Sequence, residues 1–572
     1  MQNVQDQDAK DKREQVQESA MFGQPLPTLS ERAFPRLTEA EIALILPYCS
    51  AHNYEDGDTV FEAGVEPRGL VIVVQGKLKI LNPVDDNKQI ATLTEGQFNG
   101  DIDLLMRRPP IVTGKADGPL KVQLVPLDKM CEVLIKMPNL SDKLVTAFET
   151  RRELFLRSNN IGLRVVGPAH CKETTEIREF LFRNFVPFIW HDTDTERGQE
   201  LYRKWGSPEK LPAVEVREKV LQRPGLPELA KAAGIWKHFD DIDVDLLVIG
   251  AGPSGIAAAV YGASEGLKTL VLDRIGPGGQ AGGSSKIENF IGFPAGLSGN
   301  DLALRGAMQV LKFDGSLYAP VEISSLEPRP KDDPRQPHTI KLNCGATVHA
   351  KVVLLATGLT WRKLDAENAD RFERNGVHYA CTSVEAVLYD HMEVGVIGAG
   401  NSAGQAATFL ASCCPDRNVH IFARGKVGYS MSQYLHDRCL SFPNIFIHEN
   451  TVIKRVIGAD AIEAVDAESK GEIKRIPLSA LFVFIGGEPC VEKWLPDTIA
   501  RDAKNCLLIG PDAQKSGKWP LQNREPCALE TTVPGILAAG DVRSGSTKRV
   551  GFAVGDGAQS VSCVHDLIAE IQ

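Results

Sequence analysis

Residues 1–34 carry no periodic apolar pattern and are rich in Gln, Asp and Lys, which predicts a disordered arm. From 35 to 157 a helix leads into short alternating runs at 59–61, 69–74, 77–81 and 89–94, separated by glycine-bearing turns and followed by helical spacing. That pattern predicts a small β-roll flanked by helices. Between 160 and 236 the pattern changes. A mostly apolar run at 163–166 is followed by helical spacing at 174–184, a second apolar run at 186–190 and a third, at 211–214, that contains Pro212. Strand, helix, strand and strand in that order predict a small α/β unit. A short acidic connector at 240–243 follows, and from there strands alternate with helices to the end. The fold class expected is multidomain α/β.

Two of the strand–helix junctions share a glycine pattern, 148 residues apart. The apolar run 245–250 enters Gly250-Ala-Gly252-Pro-Ser254-Gly255 and then an Ala-rich helix at 256–265. The next strand, 269–272, ends on Asp273, 23 residues after the first glycine. In such a turn Gly250 makes the tight bend, Gly252 lets a pyrophosphate approach the backbone, and Gly255 lets the helix pack on the strand. The helix N-terminus then faces the phosphates, and the acid can hold ribose hydroxyls. The second junction runs from 394–398 into Gly398-Ala-Gly400-Asn401-Ser402-Ala403 and a helix at 404–411. Its next strand, 419–422, is followed by Ala423-Arg424-Gly425-Lys426 and no acid. A carboxylate would repel a 2′-phosphate and an arginine can pair with it, so this second site favours NADPH over NADH. Near the C-terminus a small apolar strand at 535–539 runs into Gly540-Asp541, which can place a carboxylate beside a ribityl hydroxyl or a phosphate-bound water.

Composition narrows the class. A chain of 572 residues is too long for one core, and 43% hydrophobic with 24% charged residues is ordinary globular usage. The net charge of −10, without a sustained Lys/Arg block, argues against a nucleic-acid partner. No stretch reaches the roughly 18 uninterrupted apolar residues of a membrane helix, and the polar start has no secretory h-region. The 12 cysteines contain no CxxC, so no zinc site is expected and a reducing, cytoplasmic setting is.

The ordered set Gly250–Gly255 with Asp273, Gly278-Gly279-Gln280, 287–294 (IENFIGFP), 356–358 (ATG), 398–403, Ile485-Gly486 and 535–542 resembles the thioredoxin reductase-like flavoproteins over about 330 residues. The resemblance implies an FAD domain in two segments, 243–358 and 494–572, with an NADPH domain inserted at 359–493. It implies FAD contacts at Gly252, Ser254, Asp273, Gly279, Gln280, Asn289, Val321, Thr357, Gly358, Gly540 and Asp541. It also implies a basic helix start, Lys548-Arg549-Val550, whose N–H groups and charge would stabilise anionic reduced flavin. NADPH would meet Gly398, Gly400, Asn401, Ser402 and Arg424. Hydride would pass from NADPH to flavin and on to a small redox protein or small-molecule acceptor, in a homodimer.

Members of that family carry a CxxC before the second fingerprint. Here the stretch reads Cys381-Thr-Ser-Val384-Glu385, so one sulfur of the pair is missing and a non-thiol acceptor is favoured. Cys381 stands as a candidate redox thiol beside the reading of a buried structural cysteine, and Glu385 as a candidate proton donor beside that of a surface carboxylate. Residues 35–157 resemble a cyclic-nucleotide-binding fold through Gly57, Phe61, Gly64, 71–78 and 96–98. The family's Gly-Glu pair reads Gly100-Asp101 here, and its phosphate arginine position reads Ile111, with Arg107 and Arg108 too early. That predicts a structural or partner-binding β-roll rather than one that takes a nucleotide. Residues 160–236 resemble a thioredoxin or glutaredoxin unit with Pro212 at the cis-proline position and Cys171 as its lone thiol. Two alternatives stay open: electrons routed through Cys381 or Cys171 as a monothiol, and a nucleotide-sensing regulatory flavoprotein.

Overall fold

The computed structural model describes residues 28–157, 161–217, 219–236, 240–330 and 333–571. Most of the arm expected over 1–34 lies outside these residues. Its end is a helix, Leu29–Ala33, closed by a capping box from Thr28 and Glu31. The β-roll that follows is two antiparallel sheets. One orders Ser50–Tyr54, Leu120–Pro126 and Gly69–Gln75, and the other Thr59–Phe61, Thr113–Ala116, Leu78–Asn82 and Lys88–Leu93. Their strands alternate buried and half-buried positions, as at Leu78–Asn82, and helices Leu127–Lys136 and Pro138–Arg157 flank them.

The middle unit is a four-stranded sheet in the order Lys219–Gln222, Ala213–Val216, Leu163–Val166 and Phe188–His191. Two strands differ from the sequence pattern for local reasons. Val186 is not in a strand, because its N–H closes the end of helix Lys172–Arg183 by bonding Leu181 O at 2.9 Å while Phe185 turns left-handed. The third strand starts at Ala213 rather than Leu211, since Pro212 has no N–H for the ladder. The Leu211–Pro212 bond is cis.

Beyond it lie two sheets of Rossmann type. In the larger, Ser316–Tyr318, Thr269–Leu272, Ile242–Ile249, Thr347–Leu355 and Ile536–Ala538 are joined by parallel pairings, extended by antiparallel His338–Leu342 and Ile323–Glu327. The smaller is all parallel: Val377–His378, Ala480–Val483, Val394–Ile397, Val419–Phe422 and Ile445–His448. Strands Thr269–Leu272, Val394–Ile397 and Ala480–Val483 are buried along their whole length, which is why they read as continuous apolar runs. The chain crosses between the two sheets at Leu359–Trp361 and returns at Gly487–Pro489, and these crossings pair as a two-stranded ribbon. Among the described residues no helix is long and apolar enough to cross a membrane.

Candidate functional site

Each glycine fingerprint sits where a parallel strand turns into a helix. Strand Ile242–Ile249 ends at Gly250, φ +106°, and helix Pro253–Ser264 begins with Gly252 as its N-cap. A methyl on Gly255 would stand 1.9 Å from Gly250 O, so only glycine lets this helix lie on the turn. Strand Val394–Ile397 ends at Gly398, and helix Asn401–Cys413 starts from Gly400. A Cβ on Gly398 would meet Phe484 O at 2.5 Å, whereas one on Gly400 would meet nothing within 4 Å.

Both turns open onto one cavity of about 890 Å³. The first fingerprint lines it through Gly250, Gly252 and Ser254, the second through Gly400, Asn401 and Ser402. Asp273, Gly279, Gln280, Asn289 and Val321 line it from one side, Thr357 and Gly358 from the crossing, and Gly540, Asp541, Lys548, Arg549 and Val550 from the C-terminal segment. Gly255 and Gly398 lie beneath it as packing positions. Arg424 is exposed after strand Val419–Phe422 and outside the lining.

Several of these side chains are engaged inside the protein. The Asp273 carboxylate accepts from Ala251 N at 2.8 Å and from Ile275 N and Gly276 N at 2.9 Å each, so it first holds the turn and keeps one lone pair on Oδ2. Thr357 Oγ1 donates to Cys490 O at 2.9 Å, tying the two crossings, and Gln280 Nε2 donates to Leu359 O. Asn401 clamps the start of the next helix, accepting from Ser432 N at 2.7 Å and donating to Ser432 Oγ at 3.0 Å. Its amide is therefore a scaffold group here. Ser254 Oγ differs: it is buried, lines the cavity and has no hydrogen-bond partner. Burial pushes the Asp541 carboxyl up, although Ser546 Oγ donates to it at 3.1 Å. Sequence reading missed Asp556, which accepts from Gly540 N at 3.0 Å and from both Nε and Nη2 of Arg543, fixing the Gly540 turn against helix Val550–Ile571. Its position midway along a helix gives no motif signal.

An FAD-sized dinucleotide fits these residues. Gly252 and Gly279 approach so closely that a Cβ on Gly279 would meet Gly252 Cα at 2.9 Å. Two helix N-termini open onto the same space, and the orphaned Ser254 hydroxyl offers a donor.

The two candidate catalytic groups, Cys381 and Glu385, are both buried. Cys381 is 2% exposed, belongs to the apolar cluster around Val394, Ala403 and Tyr389, and does not line the cavity. Burial pushes its thiol well above the ordinary value, with Glu385 adding to the rise, so it is not a poised thiolate. Glu385 is 1% exposed and not a surface carboxylate. Its Oε2 accepts from Thr382 N at 2.6 Å and Thr382 Oγ1 at 2.5 Å, completing the capping box of helix Ser383–Ala386.

The middle unit also reaches this site. Glu179 and Arg183, from helix Lys172–Arg183, line the cavity. Arg178 lies 4.2 Å over the Trp190 ring and donates to Val384 O at 2.8 Å. Arg374 pairs with Glu176 at 3.1 Å. Cys171 lies away from the cavity, its thiol donating to Glu173 Oε2 at 3.3 Å.

Comparison with known proteins agrees with this geometry. A family model described as pyridine nucleotide-disulphide oxidoreductase matches residues 244–557, and one described as cyclic nucleotide-binding domain matches residues 51–136. A thioredoxin reductase of Mycoplasma genitalium is 30% identical over 330 residues, 57% of this chain and 96% of that protein. An NADH dehydrogenase of Bacillus subtilis is 30% identical over 347 residues, 60% of this chain and 62% of its own length. Among solved structures, a T. acidophilum thioredoxin reductase superimposes with a TM-score of 0.50 at 26% identity, over 57% of this chain and 99% of that one.

Proposed function

Because the chain belongs to the pyridine nucleotide-disulphide oxidoreductase family, whose thioredoxin reductase-like members use FAD and NADPH, we propose that it is an NADPH-dependent flavin oxidoreductase whose acceptor comes to the cavity from outside the chain. The observation that carries this reading is the single cavity lined by both glycine fingerprints. Bound there, FAD would supply hydride acceptance from NADPH and electron delivery to the acceptor.

The chain's own residues then have separable tasks. Gly250, Gly252 and Gly279 admit a pyrophosphate against the backbone, Ser254 donates toward it, and Asp541 accepts from a ribityl hydroxyl or a phosphate-bound water. Asn289, Val321, Thr357 and Gly358 wall the flavin side. Lys548, Arg549 and the N–H groups at the start of helix Val550–Ile571 hold negative charge at the ring end. Gly400 and Ser402 receive the second nucleotide, and Arg424, the exposed cation after strand Val419–Phe422, selects its 2′-phosphate.

The acceptor is a small redox protein or a small molecule, and the route does not pass through a thiol pair of this chain. Cys381 is buried, Val384 stands where its partner would be, and Cys171 lies off the cavity. The 12 cysteines without a CxxC fit a cytoplasmic setting. The test is anaerobic addition of NADPH followed by a screen of disulfide, redox-protein and quinone acceptors. Flavin bleaching by NADPH and reoxidation by a non-thiol acceptor support the reading. Reoxidation that requires Cys381 or Cys171 contradicts the acceptor half of it.

A further inference from the structure

The β-roll holds a second, partly open cavity of about 810 Å³, within the usual range of about 300–1,000 Å³ for small-molecule sites. Its wall is largely apolar, with Val60, Val71, Ile80, Ile111, Val122 and Leu124 facing the space between the sheets. Arg151 also lines it, from helix Pro138–Arg157, at 4% exposure. Its Nε donates to Ala33 O at 2.7 Å and its Nη1 to Gly100 O at 2.6 Å. Its guanidinium lies over the rings of Phe98 and Phe34, at 4.8 and 5.2 Å. Nη2 is buried without a hydrogen-bond partner.

The exposed rim of the cavity carries Glu62, Glu66, Asp85, Arg68 and Lys88, but the buried charges beneath it do not balance. Arg152, fully buried, donates to Asp101 Oδ2 at 2.6 Å and to Asp103 Oδ2 at 2.5 Å, which consumes both carboxylates. Arg108, which lines the same cavity, donates to Asn184 O at 2.7 Å. Three buried guanidiniums thus face two carboxylates and one positive charge is left over; of Arg108 and Arg151, which both line the cavity, Arg151 is the one with a buried nitrogen lacking a hydrogen-bond partner. Burial lowers its guanidinium to about 9, and the nearby Asp101 charge offsets only part of that. Buried charges are costly unless paired, so an anion is the missing complement.

A cyclic nucleotide is a poor match. Asp101, at the position that would take a ribose hydroxyl, is committed to Arg152, and Ile111 stands where a phosphate arginine would be. A single leftover charge calls for a monoanion, and the wall calls for an apolar body. We propose that the β-roll binds one amphipathic carboxylate of the fatty-acid class, its head on Arg151 and its chain along the apolar wall.

Equilibrium dialysis of palmitate against the full-length chain tests this, with hexadecanol, inorganic phosphate and cAMP as separate arms. The expected result is saturation at one palmitate per chain, hexadecanol about tenfold weaker or worse, and no competition by phosphate or cAMP. Arg151→Met should weaken palmitate about tenfold or more. Because Arg151 also holds Ala33 and Gly100, a second variant, Leu124→Trp, fills the cavity from its wall without touching that cation. It should abolish palmitate binding while thermal melting and NADPH-driven flavin reduction stay unchanged. Equal affinity for hexadecanol, displacement by cAMP or phosphate, undiminished binding in Leu124→Trp, or the absence of saturable binding would each overturn the proposal.

Discussion

Under the proposed function, the choice of nicotinamide coenzyme turns on Arg424. It stands exposed after strand Val419–Phe422, where a charge-assisted bond to a 2′-phosphate would contribute about 1.5–3 kcal/mol. Arg424→Ala should therefore raise the KM for NADPH roughly ten- to hundredfold and leave that for NADH nearly unchanged, in steady-state assays with each coenzyme. Cys381 makes the opposite case. With its thiol buried and pushed up in pKa, Cys381→Ser should retain wild-type turnover with any non-thiol acceptor, and a large loss of kcat would reinstate the thiol route. At this scale the sequence was informative about which residues surround the cavity and weaker about what their side chains do. Asn401 and Asp273 lie in the lining, yet their polar atoms largely serve neighbouring turns. Glu385 is a helix cap, a role its Thr382-Ser-Val-Glu385 spacing already allowed.

The strand–turn–helix elements are where sequence and structure agree most closely, because the constraint is local. A buried parallel strand must be a continuous apolar run, and the turn after it must be glycine where a Cβ would strike backbone. Gly255→Ala puts a methyl 1.9 Å from Gly250 O, so the helix must move off its strand. The variant is expected to purify with most of its flavin absorbance lost, which the visible spectrum of the purified protein reads directly. Boundaries failed where a single atom decides them: the missing N–H of Pro212 delays one strand, and the Val186 N–H spent on the preceding helix delays another. Asp556 was illegible because a carboxylate midway along a helix acquires its meaning only when the Gly540 turn is folded against it.

At the scale of the whole molecule, contacts between distant segments hold the units together, and no local pattern announces them. Arg152 joins the β-roll to the middle unit, pairing with Asp101 and Asp103 and donating to Phe185 O at 2.9 Å. Arg152→Met strands two buried carboxylates and should cost about 3–5 kcal/mol, seen as a lower denaturation midpoint. Glu288, in the segment before helix Gly299–Lys312, pairs at 2.6 Å with Arg438 on helix Gln433–Ser441. Burial raises the Glu288 carboxyl, but its bonds to Arg438 and Lys286 outweigh that and hold it below its ordinary value of 4.5. A depressed folded pKa means the stabilisation is fully present above 4.5 and is lost as pH falls through the lower folded value. Melting temperature should show a Glu288-dependent decline only below that ordinary value, and Glu288→Gln should remove that component. The central claim is that the shared cavity brings a nicotinamide nucleotide and a flavin together, and anaerobic stopped-flow mixing of the flavin-loaded chain with NADPH tests it most directly. Stoichiometric bleaching of the flavin band, undiminished in Cys381→Ser, is the predicted result. A flavin band that NADPH leaves unchanged would contradict it.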